Sequence, residues 1–144
     1  MRRFVISDRF TVSDIGLDAE GETLSELFAA AMEGMFVIIL GAGKTRQSEN
    51  CFSIALTSGT LEQLLVDWLS ELIYRFDAEG QIPIDCHLDI SSGDREFSAT
   101  GIVHFRAFKR GQESADHEIK AVTYHKLQIV ESEGMFGCHV VFDL

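Results

Sequence analysis

The segment at 60–76 reads TLEQLLVDWLSELIYRF and combines a helix start signal with a broad apolar stripe. Its first four residues have the spacing of a capping box, in which Thr60 and the residue three positions later satisfy the first free N–H groups of a helix. Apolar residues then recur every three or four positions, and they are Leu61, Leu64, Leu65, Trp68, Leu69, Leu72, Ile73 and Phe76. Because so wide an apolar face must be buried, the segment predicts a helix that packs on a sheet.

An earlier segment at 23–35 repeats this pattern. TLSE at 23–26 is a second capping box, and the apolar residues that follow are Leu24, Leu27, Phe28, Ala31, Met32 and Met35. The segment therefore predicts a first helix that begins next to Thr23.

Runs of alternating apolar and polar residues follow each predicted helix. CFSIALTS, IDCHLDI, EFSATGIVHF and FGCHVVF all have the period of two that is typical of half-buried strands. The later runs are close enough in sequence to pair as hairpins. The order of elements predicts an α+β fold, in which a mostly antiparallel sheet carries two helices on one face.

One alternating run, AVTYHKLQIV at 121–130, changes phase near His125. Val122 and Tyr124 form one apolar set, whereas Leu127 and Ile129 continue one residue out of step. A slip of this kind is typical of a β-bulge, so we predict a bulge at this point.

The composition predicts one soluble domain spanning residues 1–144. The chain is 46% hydrophobic, its net charge is −11, and its apolar runs are too short to cross a bilayer. The first twelve residues lack the long apolar core of a signal peptide, which predicts a cytoplasmic protein. An acidic surface repels phosphate backbones, so we expect no strong direct binding of nucleic acid. A basic protein partner or divalent cations would suit this charge better.

The segment LGAGKTRQS at 40–48 resembles a phosphate-binding loop but lacks its spacing. The motif requires a glycine five residues before the last one, and that position holds Ile38. We therefore predict no nucleotide site, and we interpret the segment as a glycine-rich connection between a helix and a strand.

Histidines and cysteines show no catalytic or zinc-binding spacing. We interpret His87 and His139 as sheet residues that face away from the apolar set. Cys51, Cys86 and Cys138 are predicted to be free thiols and small buried residues. A Cys–His nucleophilic pair would form only in the folded protein, so the sequence leaves it open, but it marks no catalytic residue.

Carboxylates offer a better candidate site. Asp14 lies between the first strand and the approach to the first helix, and Asp143 ends an apolar strand next to the Leu144 carboxylate. If the fold brings Asp14 alongside, three hard oxygen donors converge, which is a site for calcium or magnesium. The simpler alternative is a solvated terminal aspartate.

The closing segments EIKAVTYHKLQIV and GCHVVFDL resemble the carboxy-terminal signature of the archease family. That family typically has a K-A-[VIL]-T-Y-H element and ends in a tetrad like V-F-D-[ILT]. The segments at 21–36 and 61–77 resemble its two helices, so the resemblance spans the chain in the right order. The family usually begins with H-T-A-D-x-G, whereas this chain has TVSDIG, with Thr11 in place of the histidine.

The resemblance implies a protein cofactor and not an enzyme. Archeases activate the tRNA-splicing RNA ligase that joins 3′-phosphate to 5′-hydroxyl ends, by promoting its guanylylation and multiple turnover. The family's metal-binding positions fall on Asp14, Asp143 and the Leu144 carboxylate, and its functional lysine falls on Lys120. The expected cofactor is a divalent cation, calcium or magnesium.

Other residues of the family pattern have two interpretations. Asp67 and Glu71 recur in that pattern, but a solvated helix face or helix ion pairing explains them equally well. His125 is either functional or structural. The alternative function is a chaperone-like modulator of a tRNA-modifying methyltransferase. A stand-alone metal-dependent hydrolase is less supported, because the sequence shows no general base paired with a nucleophile.

Overall fold

The computed structural model describes residues 2–7, 14–44 and 47–144, which form eight strands and two helices. The elements are β1 (Arg3–Ile6), β2 (Asp14–Gly21), α1 (Leu24–Leu40), β3 (Asn50–Ser58), α2 (Leu61–Glu79), β4 (Gln81–Ser92), β5 (Phe97–Ala107), β6 (Ala121–Thr123), β7 (Val130–Ser132) and β8 (Met135–Asp143).

The strands form two antiparallel sheets. One has the order β1-β2-β8-β6, with β7 also paired to β8, and the other has the order β3-β5-β4. The predicted α+β class with two helices is confirmed. The structure adds that the strands divide between two sheets, a division that alternating patterns alone do not reveal.

The two helices lie where both sheets can cover them. Helix α1 contacts β1, β2 and β8 of the larger sheet and β4 of the smaller one, and 12 of its 17 residues are buried. A helix that is apolar all round is typically buried on all sides. Helix α2 packs on the smaller sheet and against β6. The buried Trp68 indole N–H donates to the carbonyl of Phe28 at 3.0 Å and thereby ties α2 to α1.

Both predicted helix starts are confirmed. The Thr23 hydroxyl accepts from the Glu26 N–H at 3.1 Å, and the Thr60 hydroxyl accepts from the Gln63 N–H at 3.0 Å. The return half of the first capping box differs from the motif, because the Glu26 carboxylate accepts from the Glu22 N–H. In the second, the Gln63 side-chain amide donates to the Asp67 carboxylate.

The predicted β-bulge near His125 is wrong. Strand β6 ends at Thr123, and a turn follows in which the Leu127 N–H donates to the Tyr124 carbonyl at 3.0 Å. The chain then returns to the same edge of β8 as β7, beginning at Val130. The change of phase therefore reflects a six-residue excursion between two short strands.

The glycine-rich segment after α1 leads to β3, as predicted. Helix α1 ends at Leu40, and the N–H of Gly41, whose φ is 90°, donates to the Val37 carbonyl. A phosphate-binding loop has the opposite context, since it leaves a strand and opens a helix. Residues 45 and 46 of this segment lie outside the described residues.

The cysteines are free in the described residues, but they are not all buried. Cys86 and Cys138 are buried as predicted, and burial raises the pKa of each thiol to about 12. Cys51 is exposed, so the prediction for this residue is wrong. Within the described ranges, no helix has the length and hydropathy needed to cross a membrane.

Candidate functional site

The first residue of β2 and the last residue of β8 bring two aspartates together. Asp14 and Asp143 are direct cross-strand partners. Paired residues in an antiparallel sheet point to the same face, with Cβ atoms about 4.5–5.5 Å apart. Asp14 is half-buried and Asp143 is exposed. Leu144 follows immediately, so its carboxylate lies close to the same end of β8.

Strand β6 brings Lys120 to the same place. Ala121 pairs with Asp143 on the side opposite to Asp14. The Lys120 N–H donates to the Asp143 carbonyl at 2.8 Å, and the Lys120 side chain is exposed. We call the group formed by Asp14, Asp143, Leu144 and Lys120 the carboxylate corner.

The carboxylate corner places two carboxylates opposite each other on neighbouring strands. Like charges directly opposite each other destabilise a sheet, and a cation between Asp14 and Asp143 would remove that repulsion. Oxygen donors are the ligands that calcium and magnesium prefer. In residues 2–7, 14–44 and 47–144, no group of three or more His, Cys, Asp or Glu side chains has metal-binding geometry. A third donor from this corner would be the Leu144 carboxylate, and Thr11 lies outside those ranges.

Asp67 and Glu71 have different environments on α2. The Asp67 carboxylate accepts from the Ser58 hydroxyl at 2.5 Å and from the Gln63 side-chain amide at 2.6 Å. Glu71 pairs with Arg75 at 2.8 Å, four residues along the same helix. Glu71 therefore has the structural role of a helix ion pair, whereas Asp67 is a partly buried acceptor and not part of a solvated face.

The start of α2 holds the turn that follows β6. The Glu62 carboxylate accepts from the Ile129 N–H at 2.9 Å. Burial and the nearby Asp67 charge raise the pKa of Tyr124, while a hydrogen bond with the Gln63 side chain opposes the shift. The Glu62 side chain in the first turn of α2 thus anchors the second end of this excursion. In the sequence, Gln63 belongs to the capping box and Glu62 has no evident role.

His125 lies on the surface of that turn. Its N–H donates to the Thr123 hydroxyl at 3.3 Å, and its side chain is exposed. The neighbouring Lys126 has a φ of 53°, which is unusual for a residue with a side chain. The turn therefore presents a histidine and a lysine to solvent.

The other predicted sheet histidines are exposed. His139 on β8 approaches Asp18 on β2, with 2.7 Å between Nδ1 and Oδ1. Its ring lies over Gly16, where an added Cβ would come within 2.8 Å of the ring. His87 on β4 contacts the ring of His104 on β5 edge to face.

The chain is thus a small α+β protein. It has two antiparallel sheets around two central helices and a carboxylate corner at one end of β8. Residues 9–144 match the sequence model of the Archease protein family. The chain belongs to the archease family.

Relatives and solved structures agree with this assignment. The chain is 34% identical over 133 residues to the protein archease of Methanosarcina acetivorans, covering 92% of this chain and 90% of that protein. It is 31% identical over 132 residues to the protein archease of Methanothermobacter thermautotrophicus, covering 92% of this chain and 93% of that protein. The solution structure of protein 1598 from Methanobacterium thermoautotrophicum covers 98% of both chains, with a TM-score of 0.80 at 28% identity.

A more distant structure shares the fold. It is the crystal structure of an archease, described as a possible chaperone, from Thermotoga maritima. Its TM-score is 0.60 at 20% identity, over 96% of this chain and 98% of that one.

Proposed function

We propose that this chain is a protein cofactor, not itself an enzyme, that activates the tRNA-splicing RNA ligase joining 3′-phosphate to 5′-hydroxyl ends. It would promote guanylylation of the ligase and allow multiple turnover in the cytoplasm. The observation that carries the proposal is the carboxylate corner. Asp14 and Asp143 are direct cross-strand partners, and the Lys120 N–H donates to the Asp143 carbonyl. These are the residues to which the archease resemblance assigns function.

Asp14, Asp143 and the Leu144 carboxylate would hold the divalent cation, calcium or magnesium. The bound ion would supply positive charge that offsets carboxylate repulsion and joins the start of β2 to the end of β8. The protein itself supplies the exposed Lys120 side chain, whose backbone N–H is hydrogen-bonded to the Asp143 carbonyl.

The charge of the chain supports docking on a basic protein. With 23 acidic and 12 basic residues, its net charge is −11. Complementary charge accelerates encounter and selects partners, and both effects weaken as salt is added. An RNA-binding face of the ligase would provide that complement, whereas RNA itself would be repelled.

Replacing Lys120 by alanine should strongly reduce ligase guanylylation without unfolding the domain. The side chain is exposed, so its truncation should change stability by no more than about 0.5 kcal/mol. The assay mixes the cognate ligase, GTP and either wild type or Lys120→Ala and follows the covalent guanylyl adduct. We also expect no GTP turnover by the protein alone.

A matched control is Lys126→Ala, which removes an exposed lysine of the turn after β6. We expect it to retain more activation than Lys120→Ala. Equal activation by wild type and Lys120→Ala at equal stability would remove Lys120 from the mechanism. An unchanged ligase rate at saturating wild-type protein would contradict the proposed function itself.

The second candidate is a chaperone-like modulator of a tRNA-modifying methyltransferase. It is favoured only by the description of the Thermotoga maritima archease as a possible chaperone. Light scattering of a heated methyltransferase, with and without this protein, would separate the two functions. Suppressed aggregation together with unaltered ligase guanylylation would favour the chaperone role.

A further inference from the structure

A cavity of about 220 Å³ lies beside the C-terminal ends of both helices. Its apolar lining comes from Ile39, Ile73, Phe76 and Ile119, and the first, second and last of these are buried. Asp77 and Glu118, which are both exposed, line the same cavity. The cavity therefore combines an apolar wall with two carboxylates on its solvent side.

The helix ends make this cavity electrostatically negative. Helix α1 ends at Leu40 and α2 at Glu79, so Ile39 and Asp77 belong to the two last turns. The C-terminal end of a helix carries a partial negative charge and favours lysine or arginine nearby. Neither last turn contains a basic residue. The Asp77 carboxylate is therefore at the unfavourable end of its helix, a local conflict that is typical of functional sites.

The two carboxylates also oppose each other. Burial and the Glu118 charge both raise the pKa of Asp77. Among the described residues, neither carboxylate forms an ion pair with a basic side chain. His117 lines the same cavity, and its backbone N–H donates to the Ile39 carbonyl at 3.3 Å. The Ile39 carbonyl at the negative end of α1 thus already accepts a hydrogen bond. The Asp77 and Glu118 carboxylates remain available to bind a ligand.

We propose that this cavity, which we call the helix-end cavity, receives a lysine side chain of the protein partner. The aliphatic stem would pack on the isoleucines, and the ammonium would lie between Asp77 and Glu118. A lysine side chain combines an apolar stem with a compact positive charge. It therefore matches a cavity that has both an apolar wall and carboxylates. The proposal rests on the proposed function, because the basic ligase face would supply the lysine. Glu118 is two residues before Lys120, so the cavity and the carboxylate corner could contact one partner.

The cavity is tested first with n-butylammonium, which mimics the end of a lysine side chain. We expect saturable NMR shifts of the Ile39, Ile73 and Ile119 methyl groups. The uncharged n-butanol should bind at least tenfold more weakly. The isosteric double variant Asp77→Asn, Glu118→Gln should lower the n-butylammonium affinity at least tenfold.

A control variant removes the same amount of charge elsewhere. Glu79→Gln with Glu131→Gln changes two exposed carboxylates that do not line the cavity. It should bind n-butylammonium as wild type does. Absence of shifts in wild type, equal binding of n-butanol, or equal loss in the control variant would overturn the proposal.

The second arm measures affinity for the cognate ligase by calorimetry. We expect at least a tenfold loss for Asp77→Asn, Glu118→Gln relative to the charge-matched control. Equal affinities of the two double variants would overturn the assignment of the cavity to a partner lysine. If wild type fails to bind the ligase at all, the proposed function fails, and the n-butylammonium result still decides whether the cavity takes such a cation.

Discussion

Replacing Arg106 by methionine should lower the free energy of unfolding by about 3–5 kcal/mol, because it leaves the buried charge of Glu113 without its main partner. The Arg106 side chain is 1% exposed and that of Glu113 is 9% exposed. Two parallel hydrogen bonds of 2.8 Å join the guanidinium to the carboxylate. A third bond of 3.2 Å reaches the Lys44 carbonyl in the segment after α1. One side chain therefore joins β5 to two loops.

Urea unfolding of wild type and Arg106→Met would measure this effect. A matched control is Lys109→Met, which breaks a pair between Lys109 and Glu49 of 3.2 Å whose side chains are 45% and 48% exposed. Exposed pairs contribute about 0–1 kcal/mol, so the control should be nearly neutral. Equal stabilities of the two variants would show that the buried pair does not hold these loops.

Asp14→Asn and Asp143→Asn should each weaken calcium or magnesium binding more than tenfold. The two residues are direct partners, so each variant removes one of two facing carboxylates. Residues added after Leu144 should weaken binding to a similar extent, because they convert its carboxylate into a peptide bond. Calorimetric titration of wild type and the three variants with each cation would measure the losses.

Asp89→Asn is the control for this titration, since it removes an exposed carboxylate of β4 on the other sheet. Its cation affinity should match that of wild type. Unaltered binding in the extended protein would remove the Leu144 carboxylate from the site. Equal losses for Asp89→Asn and Asp143→Asn would indicate diffuse attraction to an acidic surface and no defined site.

The local features of the fold could be predicted from the sequence because their causes are local. Thr23 and Thr60 cap the helices that their tetrapeptides predict. The division into two sheets could not be predicted from the alternation of apolar and polar residues. That alternation shows that a strand has two different faces, but it does not show which strand lies beside it. The second half of α1, GMFVIIL, is apolar on all sides, which is typical of a helix buried between layers.

The candidate site was predictable where the family pattern names residues. Asp14 and Asp143 were predicted as metal ligands together with the Leu144 carboxylate, and Lys120 was predicted separately as a functional lysine. The structure places Asp14, Asp143 and Lys120 at one end of β8. The anchoring of the β6–β7 turn by Glu62 was not predicted, because the contact spans 67 positions and depends on the tertiary fold. Arg106 was also missed, since an arginine in a strand gives no sign of its burial until its partner is known.

The proposed activation is tested most directly by the turnover of limiting ligase on an excess of RNA with 3′-phosphate and 5′-hydroxyl ends. With GTP present, ligase alone should stall early, and ligase with less than equimolar wild-type protein should continue through many turnovers. Asp143→Asn, at the same concentration and confirmed to be folded, should leave the ligase stalled. Identical progress curves with and without the wild-type protein would contradict the proposed activation of the ligase.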